Sequence, residues 1–127
     1  MHRATIVVAA LFAAIVTVAT VGQANLEKVS APHTIEIVVF ERAGCAYCEI
    51  FRREILPRYK RSPTAAKVPI RFVDIDRVDL DAMPLQSRLT ILPTAVIMHS
   101  GSELERIAGY TGPEIFFQII NRLLGEL

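Results

Sequence analysis

Apolar and polar positions change rhythm several times along the chain, and each change marks an element. From Thr34 to Phe40 the run Thr-Ile-Glu-Ile-Val-Val-Phe is dense in β-branched and aromatic side chains, which predicts a largely buried strand. Ala43-Gly44 interrupts it. From Cys45 the spacing lengthens: Tyr47, Ile50, Phe51 and Ile55 recur at three- and four-residue intervals, giving a helix one apolar face. Pro57 ends or kinks that helix, because it has no backbone N–H and its ring crowds the preceding turn. Arg58 to Lys67 reads as a basic connector. Val68 to Val73 reads as a second strand, with Pro69 near its start, where a missing donor is tolerated.

Asp74 to Arg88 is acidic and irregular, with room for one helical turn. Leu92-Pro93-Thr94 then leads into a third strand, Ala95 to Met98. Ser100-Gly101 makes a hairpin turn, and Glu103 to Ile107 pairs back as a fourth strand. Gly109 and Gly112 flank a loop. Pro113 suits a first helical position and Glu114 the positive end of the first turn. Ile115, Phe116, Ile119, Ile120, Leu123 and Leu124 form a broad apolar stripe on the last helix. The order is a βαβ unit, whose crossover should be right-handed, followed by an antiparallel hairpin and a covering helix. The expected fold is α/β, a mixed sheet of about four strands with helices on both faces.

One stretch lies outside this pattern. Met1-His2-Arg3 is a short basic start, Ala4 to Val21 runs 18 residues without a charge, and Gly22-Gln23-Ala24 supplies small residues. That is the order of a secretory signal cleaved after Ala24, and it is set aside from the fold. The rival is an uncleaved membrane anchor, since 18 apolar residues are long enough to be a spanning candidate. The expected organisation is therefore a leader over 1–24 and one domain over 25–127, with the domain on the far side of the membrane in either case. A chain of 127 residues leaves room for one domain only. Beyond the leader the basic and acidic side chains balance at 13 each (14 less Arg3, against 13), so no overall field points to nucleic acid.

Export changes the reading of the two cysteines, Cys45-Ala46-Tyr47-Cys48, because an oxidising compartment permits a disulfide. As a staple the pair is weak: so small a loop gains about 2 kcal/mol, against roughly 4.7 for a 100-residue one. The spacing suits chemistry better. At a strand-to-helix turn Cys45 meets unpaired N–H groups and the positive end of the helix dipole, which favour a thiolate. Cys48, one turn inside, can attack a mixed disulfide. Cys45 is thus the expected nucleophile and Cys48 the resolving thiol. Arg42 adds positive charge nearby or is an ordinary solvated arginine. The rival use is metal binding, by zinc or by Cu(I), for which Cys45 and Cys48 are soft ligands. Beyond the leader only His33 and His99 could join them, and neither lies at a ligand spacing, so no metal site and no cofactor are expected.

The chain resembles the thioredoxin superfamily over nearly all of Ile35 to Leu124. The resemblance is carried by the strand running into Gly44-Cys45-Ala46-Tyr47-Cys48, by Leu92-Pro93-Thr94 before a strand, and by Gly109-Tyr110-Thr111-Gly112-Pro113-Glu114 before the last helix. Phe40-Glu41-Arg42-Ala43-Gly44-Cys45 and the last of these runs are most similar to small periplasmic thioredoxins associated with bacterial sulfur-oxidation (Sox) gene clusters. The resemblance implies a thioredoxin-like fold and a periplasmic thiol–disulfide oxidoreductase that reduces disulfides of exported proteins, a sulfur-oxidation carrier among them. Its electrons would come from a membrane thiol transporter. It also implies a cis Leu92–Pro93 bond facing the cysteines and offering backbone groups to an extended substrate, whereas the residues alone make Pro93 a strand-start proline. Leu92, Pro93 and Tyr47 are the expected substrate contacts, and Tyr110 lines the same surface or only packs. The alternative is a thioredoxin-fold Cu(I) metallochaperone.

The chain departs from the family's usual pattern in three ways. It has Gly-Cys-Ala-Tyr-Cys where thioredoxins usually carry Trp-Cys-Gly-Pro-Cys, and it has no tryptophan. Val39 stands where the buried acid is expected, six residues before Cys45, leaving proton removal from Cys48 to water, Glu41 or Glu49. Without Pro between the cysteines the direction of exchange stays open. Arg52, Arg53, Arg58, Lys60, Arg61 and Lys67 outweigh Glu54 by five charges, either as a solvated face or as a docking patch for an acidic partner.

Overall fold

The computed structural model describes residues 34–126. The leader, the segment up to Pro32 and His33 lie outside the described residues. Four strands, β1 (Ile35–Glu41), β2 (Ile70–Asp74), β3 (Thr94–His99) and β4 (Ser102–Ala108), form one sheet in the order β2-β1-β3-β4. β1 and β2 run parallel, and the β1–β3 and β3–β4 pairs are antiparallel. β1 is central, so Ile37 to Phe40 are buried on both faces, which explains why its sequence is apolar without alternation.

The predicted helix is two. α1 (Ala46–Glu54) and α2 (Leu56–Lys60) follow one another, and Pro57 sits in the first turn of α2, where its missing N–H is no loss. The Ile55 and Tyr59 amides still bond four residues back, to Phe51 and Ile55, so the proline bends the path without stopping it. The basic connector is accordingly helical as far as Lys60 and again in a 3₁₀ turn over Pro63–Ala66. α3 (Pro113–Gly125) closes the fold.

Alternate residues of β1 feed two cores. Ile37 and Val39 pack with Ala95, Ile97 and Ile107, with Phe51 of α1, Ile55 at the α1–α2 junction and Tyr59 of α2, and with Phe116, Ile120 and Leu123 of α3. Phe51 meets Phe116 edge-to-face at 5.3 Å between centroids, and the Tyr59 hydroxyl donates to the Val68 carbonyl at 2.6 Å. Val38 and Phe40 face the other way, with Val73, Val96 and Met98, under Ile75, Leu80, Met83, Leu85, Leu89 and Leu92. Helical structure therefore lies on both faces, as expected, but unequally: three α-helices on one and two 3₁₀ turns, Ile75–Arg77 and Leu80–Ala82, on the other. Asp74 and Asp79 cap those turns by accepting from the amides of Asp76 and Asp81.

Candidate functional site

The register brings the chemistry-bearing loops to one edge of the sheet. Glu41, the last residue of β1, pairs with Asp74 at the end of β2, and Phe40 pairs with Thr94, the first residue of β3, which in turn pairs with Ala108 at the end of β4. The loop into Cys45, the segment ending in Pro93 and the loop from Gly109 all emerge there. This is the carboxyl end of the two parallel strands, the usual place for a site in such sheets.

Gly44 takes φ +73°, a turn that a side chain would strain, and delivers Cys45 to the N-cap of α1. Cys45 Sγ accepts from the Cys48 amide at 3.2 Å, so one of the helix's unpartnered donors points at the sulfur. Cys45 and Cys48 form a disulfide, with their Cα atoms 5.2 Å apart. Cys45 is half-buried and Cys48 only 3% exposed, which makes Cys45 the sulfur an incoming reagent can reach. Tyr47 between them is 61% exposed.

A cleft of about 250 Å³ opens beside Cys48, lined by Glu41, Arg42, Gly44, Glu49, Arg52 and Asp74 among others. Both acids weighed from the sequence as proton acceptors, Glu41 and Glu49, line it. Glu41 is held by the Arg52 guanidinium through two hydrogen bonds, and Arg52 in turn lies 3.7 Å over the Phe72 ring. Val39 is fully buried in the helix-side core, so no titratable group occupies that position. Arg42 is committed to Asp76 by two hydrogen bonds of 2.8 and 2.9 Å, a pairing between the Cys45 loop and the turn after β2.

Leu92–Pro93 is a cis peptide, as the resemblance implied. Pro93 is buried, Leu92 half-buried and Ile91 half exposed. The Gly109 amide donates to the Pro93 carbonyl at 2.8 Å, and a Cβ on Gly109 would stand 3.1 Å from Ile91 Cδ1, so the two loops are fitted to each other. Tyr110 does not stand free: its hydroxyl donates to the Glu54 carboxylate, fastening the β4–α3 loop to α1. That bond holds Glu54 below the ordinary carboxylate range, and it raises the Tyr110 phenol. Ile91 and Asp76 were not singled out in the sequence, since each acquires its place through a partner remote in the chain.

His99 pairs with Ile35, at the opposite end of β1 from Cys45, and no group of three or more His, Cys, Asp or Glu is placed to hold a metal among the described residues. Within the basic stretch Arg52, Arg53 and Arg58 pair with Glu41, Glu54 and Glu114. Within that stretch Lys60, Arg61 and Lys67 stand at exposed positions and have no ion pair among the described residues.

A Cys-x-x-Cys disulfide, with one reachable sulfur at a helix N-terminus and its partner sheltered one turn inside, is the arrangement of a thiol–disulfide oxidoreductase. The chain belongs to the thioredoxin-like family, whose domain model matches residues 22–124. Among solved structures it is similar to the periplasmic thioredoxin SoxS from Paracoccus pantotrophus in its reduced form, at 28% identity and a TM-score of 0.64, covering 72% of this chain and 96% of that one. Thioredoxin from Trypanosoma brucei brucei (21% identity, TM-score 0.58, 77% and 81% covered) and Fasciola hepatica thioredoxin (22%, 0.57, 71% and 81%) share the fold. No curated protein matches.

Proposed function

We propose that this protein is a periplasmic reductant of disulfides in exported proteins, a sulfur-oxidation carrier protein among them. The single observation that carries the reading is a Cys45–Cys48 couple on a fold that covers 96% of a periplasmic Sox-associated thioredoxin at 28% identity. The basic, then apolar, then small-residue order of Met1 to Ala24 supports export.

In the proposed cycle the Cys45 thiolate attacks one sulfur of the substrate disulfide, and the other sulfur leaves as a thiolate. Cys48 loses its proton into the acid-lined cleft and attacks Cys45 Sγ, expelling the second substrate thiol. The substrate gains two electrons and the protein keeps the disulfide. A membrane thiol transporter returns two electrons by the same exchange run backwards. Leu92, Pro93 and Tyr47 are proposed to meet the substrate at the edge where Cys45 emerges.

Cys48→Ala tests this directly, because it stops the cycle at the mixed disulfide. Expressed in a bacterium that exports the full chain, the variant should accumulate a periplasmic adduct through Cys45 that dithiothreitol releases and Cys45→Ser abolishes. If no protein is held through Cys45 under reducing or oxidising growth, the reading is wrong.

A further inference from the structure

Outside the dithiol site one charged cluster is built with unusual care. Residues i and i+3 of a regular strand point to opposite faces. Glu103 and Arg106 of β4 nevertheless share a face, because the ladder carries a bulge: Met98 pairs with Glu103 and Ile97 with Glu105, leaving Leu104 unmatched. Val96 and Met98, the partners of Arg106 and Glu103, both face the core under the irregular 75–92 segment. The bulge thus turns a carboxylate toward that segment when regular alternation would have aimed it at α3.

There the pair grips the chain just upstream of Pro93. Glu103, its side chain only 2% exposed, accepts from Arg106 Nε and Nη2 at 2.5 and 2.6 Å and from the Gln86 amide at 2.7 Å. The Gln86 side-chain amide donates to the Glu103 carbonyl at 2.9 Å, and Arg106 donates to the Ser87 and Arg88 carbonyls at 3.0 and 3.3 Å. The Gln86–Arg88 backbone belongs to no helix or strand, so these bonds serve groups that have no ladder. A buried ion pair is a costly way to fasten a strand edge, since apolar side chains of similar volume usually stabilise as well or better. Its use here points to placement.

We propose that Glu103 and Arg106 are positioning residues for substrate recognition: the bulged ion pair fixes residues 86–88 and, through them, the Ile91–Leu92–Pro93 loop that the substrate meets. This rests on the proposed role of that loop, and it assigns the clamp no part in the chemistry at Cys45.

The test compares Glu103→Gln, Arg106→Met and Arg106→Lys in the full chain, with insulin as the protein disulfide. Glu103→Gln keeps the shape while removing the charge, so it remains informative if Arg106→Met does not fold. We expect KM for insulin to rise roughly tenfold in the first two, within the roughly hundredfold that a 1 Å misplacement can cost. Arg106→Lys should be intermediate. The reduction potential and the rate of Cys45 alkylation by iodoacetamide should not move. Leu123→Ala, a core truncation on the opposite face, should lower Tm and leave KM as it was. An unchanged KM in the clamp variants, or an equal rise in Leu123→Ala, overturns the proposal. Pro93→Ala separates the two claims: if it alone raises KM, the loop meets substrate and the clamp does not place it; if it also leaves KM unchanged, the loop's own role fails as well.

Discussion

Two sulfurs three residues apart are given different surroundings, and the difference predicts their order of reaction. Cys45 is half-open at the helix end while Cys48 is sheltered behind it. After reduction and a brief pulse of iodoacetamide, mass spectrometry should find the label on Cys45 and little on Cys48. Equal labelling would remove the division of roles. Tyr59 shows a different residue-scale effect. Burial pushes its phenol up to about 12 from an ordinary 10.0, and its hydroxyl satisfies the Val68 carbonyl. The unfolded chain ionises first, so this contribution is complete below pH 10 and is lost as pH rises through about 12. Tyr59→Phe should cost about 1–3 kcal/mol at neutral pH, because the carbonyl loses its donor, and should flatten the alkaline decline in urea unfolding. The cysteine pair was legible from its spacing and its place at the end of a strand, where a short Cys-x-x-Cys loop can close as a disulfide. Asp76 and Gln86 were not: what they do depends on Arg42 and Glu103, which lie 34 and 17 residues away.

At the scale of elements, the helix-side core depends on aromatic contacts between α1 and its neighbours. Phe51 packs edge-to-face against both Phe72 of β2 and Phe116 of α3. Phe51→Ala should destabilise the fold by about 3–5 kcal/mol, read as a lower urea midpoint, because little around the site can collapse into the gap. A loss below 1 kcal/mol would mean that α1 is held in some other way. The strands were read to within about two residues, as edges usually are. Apolar patterning reports burial directly, and β1 and β3 are buried almost throughout. The continuation past Pro57 was hidden because a proline opening a new turn and one closing the last look alike in sequence. The bulge at Leu104 was hidden more deeply. Ser-Glu-Leu-Glu-Arg-Ile-Ala reads as an ordinary edge strand, and only the partner register shows the extra residue.

Over the whole molecule, acid stability should follow the carboxylates that hydrogen bonds hold down. Tyr110 lowers Glu54, Arg106 lowers Glu103, and a backbone amide followed by Arg58 lowers Glu114, each from an ordinary value of 4.5. A depressed folded value gives stability that is present above the unfolded one and lost as pH falls through the folded one. Urea midpoints should therefore hold from pH 7 to about 5 and fall below 4.5, with Glu103→Gln falling less steeply than the parent. An unchanged slope in that variant would show that Glu103 carries none of it.

The direction of electron flow through the Cys45–Cys48 couple decides whether the protein reduces or makes disulfides. We would equilibrate the protein in graded glutathione and dithiothreitol buffers and count free thiols by mass after alkylation. A protein-disulfide reductant should show one reversible two-electron transition at or below the thioredoxin potential of about −270 mV. A transition near −120 mV would mark an oxidant that makes disulfides in exported proteins, and a pair that does not titrate at all would mark an inert bond; either contradicts the proposed role.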